Sequence, residues 1–233
     1  MTSVIFPGQG SQYLGMARDF YDNFEIAKNT FKSIEKATNI KISDIIFKNT
    51  DKLLDLTQYT QLAIFTSSMA IFNVFKSEVI EYKNIDIDCM LGHSLGEYSA
   101  LSASGSLSVE DCSKLLKIRG ELMQNSYEPN KSGMVAIIGL DCNTIQEIID
   151  SNNLNIEIAN DNSPMQIVIS GITENLKEAE NIFMKFRAKR YLYLNVSAAF
   201  HSKIMINAEK KMKKFINDIK FKKNNYFIIS NFT

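Results

Sequence analysis

Ser94 lies in Gly92-His93-Ser94-Leu95-Gly96, between an apolar run from Ile85 to Leu91 and a segment of helical character. G-x-S-x-G between a strand and a helix has the form of a nucleophile elbow. A sharp turn lifts the serine oxygen clear of a sheet, and a glycine on each side lets the turn close without side-chain clashes. A helix starting near Leu95 aims its first amides at the reacting centre, where negative charge develops. The chemistry this suggests is acyl transfer through a serine ester.

Such a serine needs a base, and the chain has two histidines, His93 and His201. His93 adjoins Ser94 on a tight turn, where neighbouring side chains diverge, so its expected role is packing or hydrogen bonding beneath the elbow. His201 lies in Ala198-Ala199-Phe200-His201-Ser202, a short loop between a strand and a helix. By elimination it is the candidate base. Arg119 falls on the edge of a helical stripe formed by Leu115, Ile118 and Leu122. Two readings stay open for it on the residues alone: an arginine snorkelling to solvent, or one facing a polar cleft where its fork suits a carboxylate. Gln9, in Pro7-Gly8-Gln9-Gly10, reads on its own as a turn residue of a Gly-rich loop.

The elements around these residues follow from apolar spacing. Ser3–Phe6 reads as a buried strand, with helices expected over 14–24, 26–37, 61–79 and 109–124. Ser108 and Asp111 form a capping box for the last of these. From Gly133 the order becomes strand 134–138, helix 144–150, strands 156–159 and 166–170, helix 175–186 and strand 190–196. That β-α-β-β-α-β order is the ferredoxin-like motif. Helix 204–219 and strand 226–230 follow. The expected fold is α/β: a hydrolase-like large domain of residues 1–127 and 198–233, interrupted by a ferredoxin-like α+β subdomain at 128–197.

Composition limits the alternatives. The chain has 233 residues, 45% hydrophobic and 22% charged, with Lys+Arg and Asp+Glu equal at 26 each. That balance offers no bulk electrostatic reason for a nucleic-acid or membrane partner. The N-terminus lacks a signal-peptide pattern. No apolar run is expected to be long enough to cross a bilayer, and Leu62–Phe75 reads as a buried helix. Cys89, Cys112 and Cys142 have no metal-ligand spacing and read as reduced cytosolic thiols.

FPGQGSQ at 6–12, GHSLGE at 92–97, KIRGELMQ at 117–124, NDNSPMQIVISG at 160–171 and AFHS at 199–202 occur in one order along the chain. In that order the sequence resembles malonyl-CoA:acyl-carrier-protein transacylases and the acyltransferase domains of fatty-acid and polyketide synthases, from Val4 to Thr233. The resemblance implies Ser94 as acylated nucleophile and His201 as its base. It implies backbone amides of Gln9 and Leu95 as the oxyanion hole, and Arg119 as the ligand of the malonyl carboxylate. Asn160 and Asn162 match positions near the cleft. Phe200 resembles the malonyl-selective branch, where a bulky side chain leaves little room for a methyl group. Ala199 departs from the proline of many relatives.

The implied reaction is a ping-pong transfer from malonyl-CoA to the phosphopantetheine thiol of acyl carrier protein, with no metal or cofactor, by a cytoplasmic monomer of fatty-acid synthesis. A serine hydrolase and a silent carrier-binding remnant are the competing readings. Members of the family continue beyond the segment matching 228–233, with a glutamine whose carbonyl orients the histidine. The expectation is therefore a large domain incomplete at its C-terminal end, with His201 short of that acceptor and the chain poorly stable and weakly active.

Overall fold

The computed structural model describes residues Thr2–Phe232. It divides into two compact units, Met1–Glu121 with Met212–Thr233, and Leu122–Lys211. The breaks at 121/122 and 211/212 fall inside helices, whereas the sequence reading placed them at 127/128 and 197/198.

In the first unit β1 (Ser3–Phe6) leads through a loop to α1 (Arg18–Asn23) and α2 (Glu25–Thr38). Then come α3 (Ile42–Phe47), a 3-10 turn at Leu53–Asp55 and α4 (Thr57–Phe75), neither of the first two expected from the sequence. A π turn at Lys76–Ile80 joins α4 to α5 (Glu81–Lys83), and Asn84 closes the helix in the left-handed region at φ 49°. Next are β2 (Cys89–Gly92), α6 (Leu95–Ala103) and α7 (Val109–Gln124). The return segment supplies the end of α10 (Ile206–Asn217) and β7 (Phe227–Ile229).

The three strands form a parallel sheet in the order β1-β2-β7, with Phe6 opposite Gly92 and Leu91 opposite Ile229. Central β2 has Cys89, Met90 and Gly92 buried, and α6 packs on it and on α4. Helix α1 starts later than its apolar pattern suggests. Gly15 and Ala17 sit at φ 81° and 60°, so the chain turns left-handed there and leaves Leu14 exposed. The continuous helix Thr57–Lys83 has 27 residues and is long and apolar enough to cross a membrane by length and composition. That corrects the expectation that no stretch is long enough. Most of it is buried inside the unit, where Thr57, Thr60, Gln61, Thr66 and Ser67 are interior, so it serves as the unit's core helix.

In the second unit β3 (Ser132–Ile138), α8 (Cys142–Ser151), β4 (Ile156–Ser163), β5 (Gln166–Ile172), α9 (Thr173–Lys185) and β6 (Arg190–Tyr193) follow the anticipated order. The antiparallel sheet runs β4-β5-β3-β6. Strand β3 is buried on both faces, which explains its unbroken apolar run. Val135 and Ile137 pack with Ile145, Ile148, Leu176 and Phe183; Met134 and Ala136 pack with Met123, Val168, Ala198 and Phe200.

Candidate functional site

The β2–α6 corner is built from glycines that nothing larger could replace. A Cβ on Gly92 would lie 2.1 Å from the Gly96 carbonyl, and one on Gly96 would lie 2.4 Å from the Phe6 carbonyl oxygen. The backbone can therefore fold back on itself and on β1. Ser94 takes φ 52° and ψ −105°, outside the ordinary basins of an L-residue. Its hydroxyl is half-buried at the head of α6, as the elbow pattern anticipates. Leu95 is the first residue of α6 and is 1% exposed, which leaves its amide at the unpaired end of the helix.

His93 is exposed rather than tucked beneath the elbow. Its amide donates to the Phe6 carbonyl at 3.1 Å, and its ring crowds Gly8, where a Cβ would come 2.6 Å from Nδ1. That contact fixes the loop carrying Gln9. The Gln9 side chain donates to Thr57 Oγ1 at 3.1 Å, which ties the loop to the start of α4, and Ser11 Oγ donates to the Gly8 carbonyl at 2.8 Å.

Arg119 comes to the nucleophile from α7. Its Nη2 donates to Ser94 Oγ at 3.0 Å, and its Nη1 donates to Gln61 Oε1 on α4. Gly120 makes this approach possible, because a Cβ there would lie 2.7 Å from Gln58 Cα at the start of α4. The guanidinium also sits 5.5 Å from the Tyr98 ring centroid. Burial lowers the Arg119 pKa from the usual arginine value, opposed by Tyr98 and Glu97, and the group keeps its charge. Burial raises the Tyr98 hydroxyl, with Arg119 pulling the other way. Of the two readings open in the sequence, the polar one fits: the fork points at Ser94, and it is held by a fully buried glutamine.

Sequence reasoning missed Gln61, which looks like one polar residue in an apolar helix. It also missed the other side of the elbow. Ser94 N–H donates to Asn231 Oδ1 at 2.7 Å, and Asn231 Nδ2 donates to the Gly92 carbonyl at 2.6 Å. Glu97 accepts from Ser230 Oγ at 3.0 Å and from Asn231 N–H at 3.1 Å.

In the second unit, His201 occupies an exposed loop at φ 55°. The loop is pinned to its own sheet on both sides of the histidine. Ala199 N–H donates to Ser132 Oγ at 3.1 Å, and Ser170 Oγ donates to the Phe200 carbonyl at 2.7 Å. After it, Lys203 N–H donates to Glu157 at 3.0 Å and its ammonium pairs with the same carboxylate at 3.4 Å. Phe200 is 4% exposed and packs into the cluster with Met134, Val168 and Ala198. Asn160 lies on β4 opposite Val168 between two bulges, and Asn162 is exposed beyond it.

The match to known proteins extends over the same residues. A model of the acyl transferase domain matches 4–232. The malonyl CoA-acyl carrier protein transacylase of Bacillus subtilis (strain 168) is 36% identical over 233 residues, covering 98% of this chain and 72% of that protein. The transacylase of Staphylococcus aureus (strain MSSA476) is 35% identical, covering 99% and 73%. Among solved structures, the acyl-carrier-protein-S-malonyltransferase of Bartonella henselae superposes with a TM-score of 0.91 at 37% identity, covering 99% of this chain and 74% of the other. A type II PKS acyl-carrier protein in complex with its malonyl-transacylase gives 0.92 at 31% identity, covering 99% and 74%. The chain thus belongs to the acyl transferase domain family, among the malonyl CoA-acyl carrier protein transacylases.

Proposed function

We propose that the chain transfers malonyl groups from malonyl-CoA to the phosphopantetheine thiol of acyl carrier protein. The observation that carries this reading is the guanidinium of Arg119, fixed by Gln61 and 3.0 Å from the Ser94 hydroxyl. An acyl group esterified to Ser94 would place a carboxylate two carbons further on within reach of that fork. A neutral acyl group gives the fork nothing to pair with.

By the family likeness we assign His201 as the base: Ser94 Oγ gives up its proton to it and bonds to the thioester carbon. The carbon–sulfur bond breaks, and coenzyme A leaves as the thiol with that proton. His201 then takes the proton of the carrier thiol, whose sulfur bonds to the acyl carbon and displaces Ser94 Oγ, and the departing oxygen recovers that proton. Amides of Gln9 and Leu95 stabilise the oxyanion in both halves. By the same likeness we read Phe200 as the residue that selects malonyl, and Asn160 and Asn162 as substrate-binding residues. On the same ground we read the chain as a cytoplasmic monomer serving fatty-acid synthesis.

The test is incubation with malonyl-CoA, with and without the carrier. The expected results are a covalent malonyl adduct on the protein and its discharge onto carrier thiol. Steady release of free malonate without carrier would make the protein a hydrolase, and no adduct would make it a silent module. Either result would overturn the proposal.

A further inference from the structure

We infer that Asn231 is a positioning residue for the nucleophile, holding Ser94 in its strained conformation by extending with its side chain the β2–β7 backbone ladder that ends at Leu91. This rests on the acyl-transfer reading of Ser94. The parallel ladder between β2 and β7 pairs Leu91 with Ile229. Two residues further along, the same register sets Asn231 beside His93. There β2 has ended and the chain is turning into α6, so no backbone ladder is available. The Asn231 side-chain amide supplies the two groups that a strand peptide would have offered. Its oxygen accepts from Ser94 N–H at 2.7 Å, and its nitrogen donates to the Gly92 carbonyl at 2.6 Å. The two bonds bracket His93 and grip both ends of the turn.

The grip matters because of where Ser94 sits. A non-glycine residue at φ 52° and ψ −105° is strained and persists only where its surroundings over-determine it. From within the corner the backbone restraints are His93 N–H to the Phe6 carbonyl, Gly96 N–H to the His93 carbonyl and Glu97 N–H to the Ser94 carbonyl at 3.2 Å. None of these holds the Ser94 N–H. Asn231 does, and it is fixed in turn because its own N–H and the Ser230 hydroxyl both donate to the Glu97 carboxylate. Glu97 belongs to the first turn of α6, so elbow, helix and β7 close into one ring of hydrogen bonds. The geometry that results sets the direction of Ser94 Oγ toward Arg119 Nη2. Relaxing the turn would let the serine drift out of line with the attacked carbonyl, and a displacement of about 1 Å can cost on the order of 100-fold in rate.

The experiment is single-turnover acylation by malonyl-CoA, followed by rapid quench and intact mass, for the wild type, Asn231→Ala and Asn231→Asp. The aspartate keeps an acceptor for Ser94 N–H and loses the donor to Gly92. Near-UV circular dichroism and melting temperature identify the folded fraction. We expect Asn231→Ala to acylate roughly 10- to 100-fold more slowly at saturating malonyl-CoA. Its half-saturating concentration should change less than about threefold, and its final adduct amplitude should match the folded fraction. Asn231→Asp should fall between it and the wild type, and it carries the comparison if the alanine variant does not fold. Wild-type rates in both variants, or a loss of amplitude alone with an unchanged rate constant, would overturn the role. A wild type that never acylates would instead defeat the reading of Ser94.

Discussion

At the scale of single residues, the polar side chain that faces Ser94 is fixed from behind. Arg119 faces Ser94 because Gln61 holds its other edge. If the guanidinium binds the malonyl carboxylate, Arg119→Ala loses a charge-assisted contact of about 1.5–3 kcal/mol. Malonyl transfer should then drop roughly tenfold or more in kcat/KM while acetyl transfer persists or rises. Equal losses with malonyl-CoA and acetyl-CoA would make the arginine structural. The placement of Ser94 at a strand–helix turn, of His201 in a short loop and of Arg119 on a helix was legible in the sequence because each follows from a local pattern; the direction in which Arg119 points was not. Nor were Gln61 and Asn231. They meet their partners across 58 and 137 residues of chain, and a lone amide in an apolar helix or after a strand has no spacing that announces it.

At the scale of elements the elbow depends on bare backbone. Gly92→Ala and Gly96→Ala each place a methyl group against main chain at 2.1 and 2.4 Å. Flexible side chains could yield to such a methyl, but backbone cannot, so each should cost about 1–3 kcal/mol and lower acylation together with the urea midpoint. Helix α8 offers a gentler test. Asp141 caps it by accepting from Thr144 N–H at 2.9 Å and from the Thr144 hydroxyl at 2.8 Å, and the Thr144 backbone bond chiefly holds its carboxyl below the ordinary aspartate value of 3.8. A depressed folded pKa contributes stability above the unfolded value and loses it as pH falls through the folded one. The wild type should therefore melt higher than Asp141→Ala at neutral pH, and the two curves should converge as pH falls below about 3.8. A constant gap down to strongly acidic pH would contradict this account of the cap. Most strands and long helices were legible from periodicity. The start of α1 was not, because Gly15 and Ala17 take left-handed conformations that apolar spacing cannot reveal. Helices α3 and the turn at Leu53–Asp55 were too short to show a period.

At the scale of the whole molecule, net charge is zero while positive charge is locally concentrated. Lys210, Lys211, Lys213 and Lys214 on α10, with Lys220, Lys222 and Lys223 after it, are all exposed. Lys185, Arg187, Lys189 and Arg190 form a second exposed group around the end of α9. If these dock an acidic carrier, affinity should weaken as ionic strength rises from low to moderate salt. Binding by titration calorimetry that stays flat across that range would leave them a solvated surface. The two-unit architecture was legible because the apolar pattern changes character at Gly133, and the order of strands and helices beyond it matches one motif. The break points were less legible, because both fall inside continuous helices. The central claim concerns one oxygen atom, and peptide mass mapping after incubation with malonyl-CoA tests it most directly. The account predicts a malonyl ester on the peptide carrying Ser94 and none in a folded Ser94→Ala variant. An adduct of equal yield in that variant would contradict it.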